Sequence, residues 1–589
     1  MCDSSCPIVN KDALVSCATL KLKQSFNLFE PNDTFNECNQ PFQPAIPGGG
    51  SPTNYVDMAV NYLQYAPFDA DFIGDNNLVV GYNNSTTYQA TFPDFIPATT
   101  VTYGEAYTQS AQAADLYPAF VVYNVTNGLL TESFRGPLLG YDEAFGGTIQ
   151  SVCPSRPLIA AIINYDQPYL PDLELQNKTR AVIYSLNNSD PSVPLETPNA
   201  LSYLDGRDFG QSEADFQNGG NFSLSAFSQP DGKYALYYYG TEISYITDVD
   251  TGVAFAFATV LKFGVARLIE TNGSVEVELV GEPVDFATSP TTTVDFIPTP
   301  VALPPYLQVP YPLYPGNQTL FKRDKCNKNV YYIVTSSSVS DPTTVNTFSP
   351  STEAYLVAYK FDAATKELTF LGLEPIPQTA IGLDLNDDTD RVVVVSRSVA
   401  AGGLSVLESP PNPITQTKKP YDELRIYCLN KKSKNGKPFT LSSSVDTDQR
   451  GSRAVWSHSG DLLAAIWRPY GALSLPGLLY GKKVNGECVC TDVDGKVVSC
   501  DSDAALILGS DTQLYPNPAG TLQTYSYNKS SGCLAIQDVK FTAPSPFALA
   551  WNRCDDKIFV GGEPNFVMHA DQLYSVSQTK CNGNNDCNA

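Results

Sequence analysis

The chain offers little imidazole for catalysis. Its 589 residues include two histidines, His458 and His569. His458 sits in VWSHSGD, between two apolar runs, where a polar surface residue is expected. His569 precedes the last strand-like segment, and a lone loop histidine reads as structural. Acid–base work by carboxylates stays open. Three aspartate runs place oxygen atoms at alternate positions, as calcium loops do: Asp248–Gly252, Asp384–Asp390 and Asp492–Gly495. Each lacks the downstream glutamate of an EF-hand. Asp and Asn also build tight turns through their own side chains. Turns are therefore the expectation, with Asp384, Asn386, Asp388 and Asp390 as the candidate ligands for a calcium ion. No other cofactor is expected. No serine elbow, Walker loop, dinucleotide fingerprint, haem-attachment motif or zincin motif is present.

Fourteen cysteines include clusters at Cys2, Cys6, Cys17 and Cys38, at Cys488, Cys490 and Cys500, and at Cys581 and Cys587. No histidine accompanies them. Disulfides are thus expected over a zinc site, and they imply an oxidising location. Cys428 and Cys554 fall inside strand patterns, as buried thiols or bridges between sheets. Ten Asn-x-Ser/Thr acceptors point the same way: Asn32, Asn83, Asn84, Asn124, Asn177, Asn187, Asn221, Asn272, Asn317 and Asn528. Most fall at expected turns, where glycosylation is accessible. Met1–Leu20 lacks the apolar core of a signal peptide. Either a signal was removed, or the protein reaches its setting by another route, such as assembly onto a virus particle. No run of eighteen apolar residues occurs, so no membrane span is expected.

The elements that must position these residues are strands. From Glu353 to Ser398, Tyr355, Val357 and Tyr359 alternate with other residues, the period-2 pattern of a strand. Asp362–Lys366 is a polar turn, and Leu368–Leu371 restarts a strand. After Pro375 and Pro377 come Ile381–Leu385, the turn Asn386–Asp390 and the unbroken run Val392–Val395. Such a run suits a strand covered on both faces. The same order returns from Gly520 to Gly562 and from Asp422 to Trp467. Fainter copies start near Ala119, Thr179 and Val253. Four short strands in about 45 residues is the size of one propeller blade. The segment Gln572–Ser577 reads as a first strand, to be completed by late-blade strands within Asn54–Tyr82. That pairing would close a ring of seven blades and hide its edges.

At these residues the chain resembles the lactonase-type seven-bladed propellers, the YVTN or muconate-cyclase-like group. The likeness lies in Y-x-x-D-x-x-T-x-x-L, a proline linker, and L-x-x-x-x-D-x-x-x-x-V-V, clearest from Glu353 to Pro564. Where such propellers are enzymes, the resemblance implies His, Arg and Glu projecting into the central channel. Matching positions are not found. Under a lactonase or cycloisomerase reading, Arg453 is the first catalytic suspect.

The expected fold is all-β: a seven-bladed propeller over residues 53–580, a Cys-rich arm or cap over 1–52, and a Cys tail over 581–589. Two insertions are expected, a Pro/Tyr-rich one at 284–325 and a disulfide-pinned hairpin at 484–512. The net charge of −25 argues against nucleic acid, whose phosphates need Lys/Arg clusters. The basic stretch Lys418–Lys437 reads as a solvated loop. The function expected is non-enzymatic: an extracellular or virion-surface structural or binding protein. It would form an oligomer or larger assembly, or bind other proteins or a surface polymer, through loops and arm.

Overall fold

A computed structural model of the protein describes residues 14–26, 67–73, 77–82, 120–136, 147–152, 158–165, 178–186, 198–204, 233–240, 245–247, 254–256, 261–271, 274–296, 307–338, 354–376, 380–396, 422–433, 436–447, 450–468, 478–479, 481–484, 487–491, 496–498, 506–508, 514–516, 520–542, 545–563 and 571–582. All regular structure in them is β.

The first strand, β1 (Leu14–Phe26), is followed by a sheet of β2 (Pro67–Ile73), β3 (Asn77–Tyr82), β4 (Phe120–Thr126) and β5 (Leu129–Gly136). A second holds β6 (Gly147–Val152), β7 (Leu158–Tyr165), β8 (Lys178–Leu186) and β9 (Pro198–Leu204). In a third, β10 (Tyr234–Gly240) pairs with β13 (Leu261–Thr271) and β13 with β14 (Ser274–Asp285). The small pair β11 (Tyr245–Thr247) and β12 (Ala254–Ala256) is inserted there, and the pair β15 (Thr288–Phe296) and β16 (Leu307–Pro312) follows. Next come β17 (Tyr314–Arg323), β18 (Val330–Ser338), β19 (Ala354–Asp362) and β20 (Glu367–Ile376). Then come β21 (Ala380–Leu385), β22 (Arg391–Ser396), β23 (Asp422–Leu429) and β24 (Phe439–Thr447). β25 (Arg450–Trp456) and β26 (Leu462–Arg468) precede an insertion. It contains β27 (Leu478–Leu479), β28 (Gly481–Val484), β29 (Glu487–Thr491), β30 (Val497–Val498), β31 (Leu506–Leu508) and β32 (Leu514–Pro516). The sheet of β25 and β26 is completed by β33 (Gly520–Tyr527) and β34 (Leu534–Thr542). Finally β35 (Ser545–Trp551), β36 (Lys557–Glu563) and β37 (Asp571–Asn582) take β1 as their fourth, outer strand.

Each large sheet touches the next in chain order. The contacts run through β2 and β6, β9 and β14, β14 and β20, β17 and β21, β21 and β25, and β25 and β35, and the series returns to its start through β35 and β2. Antiparallel sheets arranged radially in a closed circuit form a β-propeller.

The register explains why one pattern recurs. Tyr123, Tyr184, Tyr359, Tyr427, Tyr525 and Tyr574 all lie on third strands, each beside a bulge in the fourth. Tyr359 faces Phe370 while Ala358 faces Gly372; Tyr574 faces Leu22 while Leu573 faces Gln24. A bulge inserts one residue and bends the strand. Here the bend receives the neighbouring sheet's outer turn. Gly372, at φ +134°, lies so close to the β23–β24 turn that a Cβ would stand 2.0 Å from the Gly436 carbonyl oxygen. The outer strand β1 obeys the same rule. Its Leu20 amide donates to Asp538 on β34 (2.8 Å), and the Gln24 side chain accepts from Leu130 N (2.7 Å) and donates to Leu130 O (3.1 Å).

Cores lie between sheets. Val392 and Val394 pack with Val330, Val334, Leu356 and Ala358 on one side, while Val393 and Val395 pack with Trp456, Leu463 and Trp467 on the other. The unbroken valine run is thus a strand buried on both faces, as its sequence predicts. Each such side chain contributes about 1.5–3 kcal/mol of burial.

Four expectations are corrected. The closing strand Gln572–Ser577 is a third strand, and it bonds to β36 and β1 rather than to the strands within Asn54–Tyr82. Residues Leu14–Phe26 are therefore part of the last sheet, not of a separate arm. The 45-residue repeat joins the outer half of one sheet to the inner half of the next, since β19 and β20 lie in one sheet and β21 and β22 in another. Within the proposed 284–325 insertion, Tyr314–Arg323 is the first strand of a large sheet. In the 484–512 insertion, β29 pairs with β28 and β30, leaving Asp494–Gly495 between β29 and β30.

Candidate functional site

Turns joining first to second strands all leave the same face, because the strands are antiparallel. Three are built alike. Asn386 Oδ1 accepts from Asp390 N (3.0 Å) and Arg391 N (2.9 Å), and Asn386 Nδ2 donates to Asp390 Oδ1 (2.8 Å). Asn552 repeats this with Asp556 N (3.0 Å), Lys557 N (2.8 Å) and Asp556 Oδ1 (2.6 Å). Ser457 Oγ plays the part more simply, accepting from Leu462 N (3.1 Å). Three residues on, Thr389, Gly460 and Asp555 each take positive φ, at 53°, 69° and 56°. A short polar side chain capping a turn is how Asn, Asp and Ser favour such loops.

Charge links these turns across sheets. Asp384 Oδ1 accepts from Leu385 N and Oδ2 from Trp456 N in the next sheet, both at 2.8 Å. Lys322 on β17 reaches Asp384 (3.4 Å) and Asp387 (3.3 Å). Asp388 binds Lys325 (2.7 Å) and Lys529 (3.4 Å), and Lys529 also reaches Asp461 (3.4 Å). Asp324 caps its own turn through Cys326 N (2.7 Å) and Asn327 N (2.9 Å) and pairs with Lys431 from the β23–β24 turn. The Lys431 ammonium also stands 5.0 Å from the centre of the Tyr332 ring.

His458 belongs to this belt. Its Nδ1 lies 2.9 Å from Asp387 Oδ2. The Asp555 carboxylate accepts from His458 N (2.7 Å) and Ser459 N (2.8 Å). Burial alone would raise the Asp387 carboxyl, but Lys322 and His458 hold it well below the usual carboxylate range. Burial alone would lower the His458 imidazole; the bond to Asp387 and the charges of Asp387 and Asp555 overcome this and raise it, against Lys322. For Asp555 burial prevails over the two amides, and its carboxyl is raised.

The four candidate calcium ligands are therefore engaged: Asp384 by two amides and Lys322, Asn386 and Asp390 by each other, Asp390 further by Arg391 (2.6 Å), and Asp388 by two lysines. Among the described residues no group of three His, Cys, Asp or Glu side chains could hold a metal ion. Arg453 lies on the first strand β25, paired with Ile466; its Cα would stand 3.0 Å from a Cβ on Gly382 of the neighbouring first strand.

Among the cysteines, Cys17, Cys326, Cys428 and Cys533 are disulfide-bonded, and Cys554 is exposed. Cys326 and Cys533 sit in short turns with no cluster around them, so sequence spacing gave no signal. The expectations at Cys2, Cys6, Cys38, Cys500, Cys587, His569, Asn32, Asn83, Asn84, Asn177, Asn187, Asn221 and Asn272 lie outside the described residues. So do the side chains of Cys488, Cys490, Cys581 and Asn317. Asn124 is half-buried on β4, and Asn528 Oδ1 caps its turn by accepting from Ser530 N (2.9 Å) and Ser531 N (3.2 Å).

Second and third strands are joined by longer stretches of sequence, most of which lie outside the described residues. These run over residues 83–119, 166–177, 241–260, 339–353, 397–421, 469–519 and 564–570. The charged face, by contrast, holds turns as short as Asn127–Gly128 and 386–390. No helix among the described residues is long and apolar enough to cross a membrane.

No protein-family model matches the chain, and no curated protein does. Solved structures similar to it include an oligogalacturonate lyase in complex with manganese, at 10% identity and TM-score 0.35, covering 97% of this chain and 99% of that one. Another is an oligogalacturonate lyase from Vibrio parahaemolyticus, at 9% identity and TM-score 0.33, covering 77% and 82%. A Bacteroides fragilis protein assigned as a 6-phosphogluconolactonase aligns at 8% identity and TM-score 0.31, covering 72% and 94%. The propeller assignment rests on the sheet topology.

Proposed function

We propose that the protein is a non-enzymatic, seven-bladed propeller that works at a cell exterior or particle surface. It assembles with, or binds, other proteins or a surface polymer through the face of long connections. The observation that carries this reading is the asymmetry of the two faces. Short, capped and ion-paired turns rigidify one, whereas second and third strands are joined by stretches of up to about fifty residues, most of them outside the described residues. Binding residues concentrate on loops that a rigid scaffold positions. The cysteine content, with four disulfide-bonded cysteines among the described residues, and the ten sequons support an oxidising, glycosylating location. The engagement of His458 in an ion pair supports a scaffold role for the residue that the enzyme pattern would use.

The test compares the full chain with variants in which residues 397–421 or 83–119 are replaced by short Gly/Ser linkers. Sedimentation velocity across a wide concentration range should show assemblies that the shortened variants lose. A monomer at every concentration that binds neither protein nor polysaccharide would overturn the proposal. Lactone hydrolysis abolished by Arg453→Ala would overturn it in favour of an enzyme.

A further inference from the structure

We infer that the seam between the β21–β24 sheet and the sheet of β25, β26, β33 and β34 is a proton-sensitive latch, with His458 as its moving charge. The geometry is a clamp. The 457–461 turn is held on one side through its His458 ring, 2.9 Å from Asp387, and on the other through two backbone amides seated on Asp555.

The charged groups that face the ring come from four sheets. Asp387 from the β21–β22 turn pairs with it directly, and Lys322 from β17 shares that carboxylate at 3.3 Å. Asp555 from the β35–β36 turn lies under the backbone. Lys529 from the β33–β34 turn bridges Asp388 and Asp461 at 3.4 Å each, so these two neighbours are already neutralised. Asp387 is thus shared between a permanent cation and a titrating one. When His458 loses its proton, Asp387 keeps Lys322, and no buried charge is orphaned. The response is local: the tie between these two sheets weakens while the tie of β17 to the 386–390 turn remains.

The sign follows from the direction in which the site moves the imidazole. Its folded value is raised, by Asp387 and Asp555 against burial and Lys322. The latch is therefore complete at mildly acidic pH and is lost as pH rises through that folded value. Asp555 acts in the same sense at lower pH, since burial raises its carboxyl. Asp387 opposes both only in strong acid, where its depressed carboxyl would take up a proton.

The test uses the full chain with carbon-13-labelled histidine, which carries two imidazole signals. His569→Asn identifies the His458 signal. Its titration midpoint should lie above the ordinary value of about 6.5, and Asp387→Asn should lower it. Hydrogen exchange at the His458 and Ser459 amides is compared between wild type and His458→Asn, so that the intrinsic pH dependence cancels. Wild type should be protected about two- to fivefold more below the midpoint, a factor typical of a half-exposed pair, and equally above it. A midpoint at or below 6.5, or a protection ratio independent of pH, would overturn the latch. The imidazole titration needs no turn variant, so the test survives should Asp387→Asn not fold.

Discussion

The two faces of the propeller use their chain differently. On one, the described first-to-second-strand turns are a few residues long and spend their side chains on their own amides or on the next sheet's charges. Second and third strands, by contrast, are joined by stretches of up to about fifty residues, and β28–β30 lie within one of them. Loop-closure entropy rises slowly with length, so extending a connection costs little, whereas an unpaired charge buried between sheets costs several kcal/mol.

The contrast can be broken most forcefully at Asp324. It and Lys431 are both almost out of water, at 5% and 6% side-chain exposure. Asp324→Ala strands the ammonium and should lower unfolding free energy by about 3–5 kcal/mol in urea titration. Gly372→Ala comes next. Its φ of +134° and the 2.0 Å approach to Gly436 combine backbone strain with overpacking, for about 2–4 kcal/mol. Asn386→Ala removes the acceptor of two buried amides and should cost about 1–3 kcal/mol, without changing any assembly formed through the other face.

Smaller still is the acid response of Asp387. Its folded carboxyl lies below the unfolded value near 3.9, so its contribution is complete above that pH and fades as pH falls through the folded value. Compared with Asp387→Asn, wild type should lose about 1 kcal/mol or less of extra stability in acid, given its half-exposed side chain. The smallest effect is expected on the far face. Replacing residues 397–421 with a short linker should change stability by less than about 1 kcal/mol. A large loss there would dissolve the distinction between the faces.

Much of the architecture was legible in the sequence because the strand pattern repeats. Alternating Tyr355, Val357 and Tyr359, the capped turn at Asn386 and the valine run after it all became the elements that they predict. Periodicity reveals a repeat length but not its phase, however. Nothing in Leu573–Val576 says whether a strand is first or third in its sheet; that depends on which neighbour lies across the ladder. The partner, Leu14–Phe26, alternates weakly, with Lys21 and Lys23 facing outward from an outer strand, so it does not read as sheet. At the charged face, the turn role of Asn386 and Asp390 was readable from local chemistry. The pairing of His458 with Asp387 was not, because 71 residues separate them and only the packing of adjacent sheets brings them together.

The union of β1 with β37 has a consequence for how the molecule is made. More than 500 residues separate the two strands. At about 5–20 residues per second, Leu14–Phe26 leaves the ribosome roughly half a minute or more before its hydrogen-bonding partner exists. Until then the ladder groups of β1 have only water or a foreign strand to satisfy them, and the circle of sheets stands open at one gap. Sealing waits on the synthesis of Asp571–Asn582, and a chain halted before Asp571 is left with an adhesive edge instead of a finished ring.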